Sequence, residues 1–254
     1  MQVAWSSPLP HSIPVRRAGN ATICSNFVRH GRKPMRTLWT IGLAMVMGYW
    51  GLTATQQAAP AQAKAIKLFN GRDLTGWKAY LADPNAKMED VWRVENGILI
   101  CKGEPLGYIY TEKDYTNYIL KLEWRWAPGK PPGNSGVLLR VHGEHKIWPR
   151  SVEAQLMHMN SGDFWLIDGA PLVTDPEYID KNAERHRWRK KTAEKPAPEW
   201  NQYEIIVQGD KITLKVNGEV VNEGSGAEIV AGKIALQSEG GEIHFRNIEL
   251  IPLE

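Results

Sequence analysis

Residues 118–126 read Tyr-Ile-Leu-Lys-Leu-Glu-Trp-Arg-Trp, and their strict alternation constrains the fold more than any other feature of the chain. Leu120, Leu122, Trp124 and Trp126 share one face, while Lys121, Glu123 and Arg125 share the other. A period of two marks a strand with one buried face. Similar runs fall at 98–101, 136–142, 151–158, 203–208, 211–216, 229–237 and 242–251. Gly209-Asp210, Asn217-Gly218 and Gly240-Gly241 each separate two apolar-rich runs, as hairpin turns do. No segment carries a 3.6-residue apolar stripe. Many short strands divided by turn signals predict an all-β chain, an antiparallel β-sandwich or barrel. Residues 159–199 break the pattern and read as a long loop, whose basic run 185–191 is a solvated face or a lid over a site.

Charge is distributed unevenly along the 254 residues. Residues 1–63 hold six basic groups and no acidic one, while residues 64–254 carry 25 basic against 28 acidic, a net −3. That balance is unsuited to neutralising a phosphate backbone, so no nucleic-acid partner is expected. Within the first segment, Arg32, Lys33 and Arg36 precede the uncharged apolar run 38–52, and Ala61-Gln62-Ala63 follows. This order reads as a secretory signal peptide, with Met35 as a candidate true start. The apolar run is shorter than the roughly 20 residues a membrane span needs. The expectation is a leader over 1–63, a single β-sandwich domain over 64–254, a periplasmic or secreted location, and no stable membrane span after cleavage.

Cys24 lies in the leader, so Cys101 is alone in the domain and no internal disulfide can form. The five histidines of the domain, at 142, 145, 158, 186 and 244, show no metal-ligand spacing. No cofactor is certain from the sequence; a divalent metal ion is left open, its ligands unknown. Eight tryptophans occur after residue 63. Most fit a core, but Trp148 and Trp165 stand in loop-like contexts and are candidates for stacking on a sugar.

Three segments carry candidate chemistry. Gly133-Asn-Ser-Gly136 is a tight turn feeding a strand on which Leu138 and Arg140 share a side; Arg140 on a cleft would fix hydroxyls or stabilise an oxyanion. In 151–158, Ser151, Glu153 and Gln155 share a face, either as a polar ligand platform or as a solvated outer face. Near the C-terminus, Gln237 and Glu239 share a side, as do His244 and Arg246 on the next run. Joined by a hairpin, these four would face one groove. Glu153 and Glu239 then form the carboxylate pair for acid–base work.

Several motifs occur in order: Leu68-Phe-Asn-Gly-Arg-Asp-Leu-Thr-Gly-Trp77, Gly133-Asn-Ser-Gly136, Val152-Glu-Ala-Gln155, Gly162-Asp-Phe-Trp-Leu-Ile167, Glu199-Trp-Asn-Gln-Tyr-Glu204, Val216-Asn-Gly218, Leu236-Gln-Ser-Glu-Gly240 and Phe245-Arg-Asn-Ile248. The series resembles the 3-keto-disaccharide hydrolase family over about residues 66–252. The resemblance implies a concanavalin A-like jelly roll of two antiparallel sheets, in exported bacterial proteins that act on glycosides oxidised at C3. Carried over by position, it implies site roles for Asn134, Arg140, Glu153, Gln155, Glu239 and Arg246. Many relatives have an aspartate soon after the Glu-x-Gln strand, where this chain reads Met157-His158-Met159, so His158 replaces it or the substrate differs.

The implied chemistry is elimination followed by hydration. A C3 ketone acidifies the C2 proton; a base removes it, the C1 substituent leaves, and water adds to the enone. Glu153 or His158 is the expected base, Arg140 or a cation the enolate stabiliser, and Glu239 the acid or a metal ligand. Asn134, Gln155, Gln237, Arg246, His244, Trp148 and Trp165 are the expected contacts to a small carbohydrate substrate. Three other readings compete: a non-catalytic lectin-like module, a two-carboxylate glycosidase on unoxidised sugars, and a structural matrix protein.

Overall fold

A computed structural model describes residues 64–254; the leader, its signal features and Cys24 lie outside the described residues. Strands are numbered in chain order. One sheet runs β13 (Glu219–Gly224), β12 (Lys211–Val216), β11 (Asn201–Gln208), β6 (Tyr118–Trp126), β15 (Ile243–Pro252), β4 (Ile98–Cys101) and β3 (Trp92–Glu95), with β1 (Ile66–Lys67) also paired to β15. The other runs β10 (His186–Arg187), β9 (Phe164–Ile167), β8 (Ser151–Gln155), β7 (Gly136–Val141), β14 (Lys233–Ser238), β5 (Gly107–Thr111) and β2 (Trp77–Leu81). Every pairing is antiparallel. One short helix (Met88–Val91) precedes β3, and no helix among the described residues is long and apolar enough to cross a membrane.

The alternation of 118–126 is realised as read. Tyr118, Leu120, Leu122, Trp124 and Trp126 of β6 are buried, and the intervening residues reach the outside. They meet Val137, Leu139, Ala154, Phe164 and Leu236 of the facing sheet in one continuous core. Each such large side chain taken from water contributes about 1.5–3 kcal/mol before entropy is counted. The turn at Asn217-Gly218 joins β12 to β13 with both residues at positive φ, 51° and 84°, which is why Asn and Gly stand there.

A second apolar cluster lies on the opposite, outer face of the seven-stranded sheet. Tyr108, Leu138, Val141, Ile167 and Ala235 form it, with Tyr80, Tyr110 and Trp165 against its edge. Both faces of this sheet are therefore apolar in places, and only one of them packs on the partner sheet.

Two expectations are corrected. Gly240-Gly241 does not close a hairpin, because β14 and β15 belong to different sheets and the glycines carry the chain from one layer to the other. Residues 159–199 are not one loop: they supply β9, β10 and a 3₁₀ turn at Pro176–Tyr178. The local reason is shortness. Strands of four and two residues carry too few alternations to be told from loop.

Candidate functional site

The register of the seven-stranded sheet sets out the site. Glu153 on β8 faces Trp165 on β9 and Leu138 on β7, and Leu138 faces Ala235 on β14, which faces Tyr110 on β5. One step along, Gln155 faces Gly136, and Gln237 faces Tyr108, which faces Tyr80 on β2. Directly paired residues point to one side of a sheet, so these side chains share the outer face. Leu138 and Ala235 make its apolar floor, and the polar groups gather at one end.

Gly136 lets them gather. A Cβ at this position would overlap both Oε1 of Glu153 and Oε1 of Gln237. The missing side chain on β7 is the space in which a carboxyl from one neighbouring strand meets an amide from the other. Glu153 is 4% exposed and Gln237 1%. Oε1 of Glu153, both side-chain polar atoms of Gln237, and Oδ1 of Asn134 are buried without a hydrogen-bond partner among the described residues. An unpaired buried polar atom costs about 1–3 kcal/mol. Four in one place mark a cradle shaped for something that supplies donors and acceptors.

Asn134 and Glu239 reach the cradle from two loops held together by backbone contact. The Asn134 amide donates to the Gly240 carbonyl at 2.8 Å, and the Gly240 amide to the Gly103 carbonyl at 2.8 Å. A Cβ at Gly133 or Gly103 would collide with the backbone of Gly240 or Gly241. Burial pushes the Glu239 carboxyl up to about 7, opposed by the Asn134 amide beside it. Glu153 is held well above the ordinary carboxylate range, first by burial and then by the charge of Glu239, with Gln237 and Arg185 pulling the other way. The charge of Glu239 thus opposes the ionisation of Glu153, the arrangement that separates an acid from a base.

Other expected residues are placed differently. Gln155 shares the face, but its Oε1 accepts from the amides of Leu156 and Met157 at 2.8 Å each, so it secures the turn after β8. His158 follows in that turn; its amide donates to the Gly133 carbonyl at 3.1 Å, and its Nδ1 lies 3.3 Å from the buried carboxylate of Glu194. Glu194 also accepts from the Ser161 hydroxyl at 2.7 Å. Trp165 is a strand residue, not a loop one. It stacks on the imidazole of His186 at 4.3 Å, with the Arg185 guanidinium 5.4 Å from its ring centre. Trp148 is in the β7–β8 connection, as read, and is 37% exposed.

Arg140 does not face the cradle. Its φ is 52°, and the β7–β14 register shifts so that two residues of β7 span one of β14. This bulge reverses the alternation. Its Nε donates to Thr116 O and its Nη2 to Gly209 O, at 2.8 Å each, while Nη1 reaches Glu228 O, so the guanidinium ties loop carbonyls together. Arg246 and His244 sit on the other sheet. Arg246 donates to Glu123 at 2.6 Å and lies over the Trp200 ring at 4.1 Å, and His244 faces Arg125 and Glu242. The expectation that His244 and Arg246 share a groove with Gln237 and Glu239 is corrected by the layer crossing at Gly240-Gly241, and the expectation of Arg140 on the cleft by the bulge.

Among the described residues, no three His, Cys, Asp or Glu side chains cluster as a metal shell. The oxygens of Glu153, Glu239, Asn134 and Gln237 are donors of the hard type that Mg²⁺ or Ca²⁺ prefers, and a divalent cation would sit on them. Sequence reasoning missed Gly136, Glu194 and Arg185. The signal for Gly136 was present, a glycine heading a run of β-formers, a position where another group often approaches closely.

A family model described as a 3-keto-alpha-glucoside-1,2-lyase-like domain matches residues 64–251. The chain belongs to this family. Its members' name ties the fold to sugars oxidised at C3, and the match takes in the whole cradle. Among solved structures, a candidate glycosyl hydrolase of Parabacteroides distasonis is 22% identical with a TM-score of 0.55, covering 75% of this chain and 94% of its own. A second one from that organism is 24% identical at TM-score 0.53, covering 75% and 100%. A Bacillus licheniformis β-glucanase shares the fold at 11% identity and TM-score 0.50, covering 77% and 100%. These likenesses establish a concanavalin A-like jelly roll. A comparison with curated protein sequences finds no match. The family and fold together make the chain a carbohydrate-active protein of hydrolase-like type.

Proposed function

We propose that this chain cleaves 3-keto-glycosides by elimination across C1 and C2, followed by addition of water. The observation that carries the reading is the meeting of two carboxyls of raised pKa with the unpaired amide of Gln237 across Gly136. Glu153, kept protonated, and the Gln237 amide donate hydrogen bonds to the C3 oxygen, where negative charge develops as the C2 proton leaves. A neutral buried carboxyl used in this way is an established device for stabilising an enolate. Glu239, ionised near neutral pH, takes the proton from C2. The C1–O bond breaks, a C1=C2 double bond forms, and the proton held on Glu239 passes to the departing oxygen. Water then adds hydroxyl at C1 and hydrogen at C2, which restores the 3-keto sugar. Export through the leader is part of the proposal and places the activity outside the cytoplasm.

The sequence offered Glu153 or His158 as the base and Glu239 as the acid; with Glu153 kept protonated, His158 is the alternative to Glu239. Its Nδ1 is turned to Glu194, which leaves Nε2 as its working nitrogen. Product analysis on a disaccharide and its 3-keto derivative tests the function, with deuterium at C2. Cleavage of the keto form alone, with loss of the label, is the expected result. Loss of activity in Glu239→Gln with activity retained in His158→Ala identifies the base. Cleavage of the unoxidised sugar would instead favour a two-carboxylate glycosidase, and binding without product a lectin-like module.

A further inference from the structure

Glu194 is a buried carboxylate that the proposed elimination does not use. Its side chain is 1% exposed, and it belongs to the segment that leads into β11. Oε2 accepts from the Ser161 hydroxyl at 2.7 Å and the Ser161 amide at 3.4 Å, and Oε1 lies 3.3 Å from Nδ1 of His158. The segment is held without Glu194: the Lys195 amide donates to Oδ1 of Asn201 at 2.7 Å, and Nδ2 of Asn217 to the Ala193 carbonyl at 2.8 Å. What the carboxylate orients is an imidazole. An ionised carboxylate only accepts, so in the neutral ring Nδ1 carries the hydrogen and Nε2 keeps a lone pair. The His158 side chain is 31% exposed, and Nε2 has no hydrogen-bond partner among the described residues.

The turn that carries His158 closes the end of the sheet where the cradle lies. Past the strand ends the β7–β8 ladder continues, from the Leu156 amide to the Ser135 carbonyl at 2.9 Å and from the His158 amide to the Gly133 carbonyl at 3.1 Å. Asn134 stands between those two carbonyls. His158 is three residues beyond Gln155, which faces Gly136, so its backbone is no more than about 11 Å from the cradle's centre. The chemistry leaves a task at that distance. When water adds to the enone, its oxygen bonds to C1, it loses a proton, and the π pair moves through C2 onto the C3 oxygen; a proton then returns to C2. Glu153 and Gln237 are engaged at the C3 oxygen. Glu239, reprotonated from solvent after the departing alcohol has taken its proton, delivers to C2. While it holds that proton it cannot accept one from water.

We infer that His158, oriented by Glu194, is the base of the hydration step: Nε2 takes the proton from water as the C1–O bond forms, then releases it to solvent. Glu194 is a positioning residue that acts through the imidazole. The inference rests on the proposed function for the identity of the enone. The test gives the full domain the enone itself, a 1,2-unsaturated 3-keto sugar, and separately a 3-keto-disaccharide. Hydration of the supplied enone should fall about 100-fold or more in His158→Ala, as loss of a general base does. From the disaccharide, that variant should release enone where the wild type releases hydrated sugar. In Glu194→Gln, hydration should fall at least about tenfold, and the ¹⁵N shifts of the His158 ring should move toward the Nε2–H tautomer, which a merely structural carboxylate would leave unchanged. His158 is half-exposed in a turn, so His158→Ala covers the case in which the buried variant does not fold. Wild-type hydration in folded His158→Ala overturns the inference and leaves the cleavage reading standing. A wild-type chain that leaves the disaccharide intact yet hydrates the enone, with that activity lost in His158→Ala, keeps the His158–Glu194 pair and removes the cleavage. A wild-type chain that does neither overturns both.

Discussion

Gly136 and Glu153 occupy adjoining volume: a Cβ on the glycine would overlap Oε1 of the carboxyl, and Oε1 of Gln237 as well. Gly136 is not in the left-handed region, so an alanine there meets a steric obstacle and not a conformational one. Gly136→Ala should push Glu153 and Gln237 apart and lower kcat by at least about 100-fold, as loss of an oxyanion donor does. Overpacking should cost about 1–3 kcal/mol of stability. Steady-state kinetics beside thermal unfolding separate the two effects, and an alanine variant with full turnover would remove the cradle from the mechanism.

The carboxyl of Glu239, raised to about 7 by burial, gives a pH dependence with a definite sign. Acting as a base, it must be ionised, so kcat/KM should rise through about pH 7. Stability runs the other way. The unfolded group loses its proton near pH 4.5 while the folded one keeps it, so the folded state binds more protons between those values and stability falls as pH rises across them. Glu239→Gln should abolish the rise in rate and, at pH 8, stabilise the fold by about 2 kcal/mol. Urea unfolding of both forms at pH 5 and pH 8 measures the difference.

Gln237 offers an amide with no partner for either atom, so removing it leaves the protein little worse off and the transition state poorer. Gln237→Ala should cost about 100- to 1000-fold in kcat with a change of less than about 1 kcal/mol in stability. A large fall in melting temperature without a fall in kcat would assign Gln237 to structure.

Arg140 is expected to give the opposite result. Its guanidinium holds the carbonyls of Thr116, Gly209 and Glu228 at once, a fork that lysine cannot reproduce. Arg140→Lys should lower stability by about 1–3 kcal/mol, while the folded fraction turns substrate over at the normal rate. A specific loss of kcat in a variant that melts normally would return Arg140 to the active site.

What the sequence made legible was periodic or local. The alternation of 118–126 fixed one strand and its buried face, Asn217-Gly218 one turn, and the shared face of Glu153 and Gln155 followed from counting along one strand. The failures occurred where one residue changes phase or layer. A bulge at Arg140 turns the side chain over without altering any local pattern, and Gly240-Gly241 looks the same whether it closes a hairpin or crosses between sheets. The aromatic cluster of Tyr80, Tyr108, Tyr110 and His145 on the outer face of the seven-stranded sheet was invisible for another reason. Its members come from three segments, brought together by strand order that no single segment encodes.

The backbone contacts among Gly103, Gly133 and Gly240-Gly241 leave the loops that carry Asn134 and Glu239 no room to grow. Insertions or larger residues there would part the reacting groups. The connection 142–150, which carries His145, has no such clamp at Gly143, where a Cβ would meet open space. A change of length is therefore borne more readily along the β7–β8 connection than in the two loops that set Asn134 against Glu239.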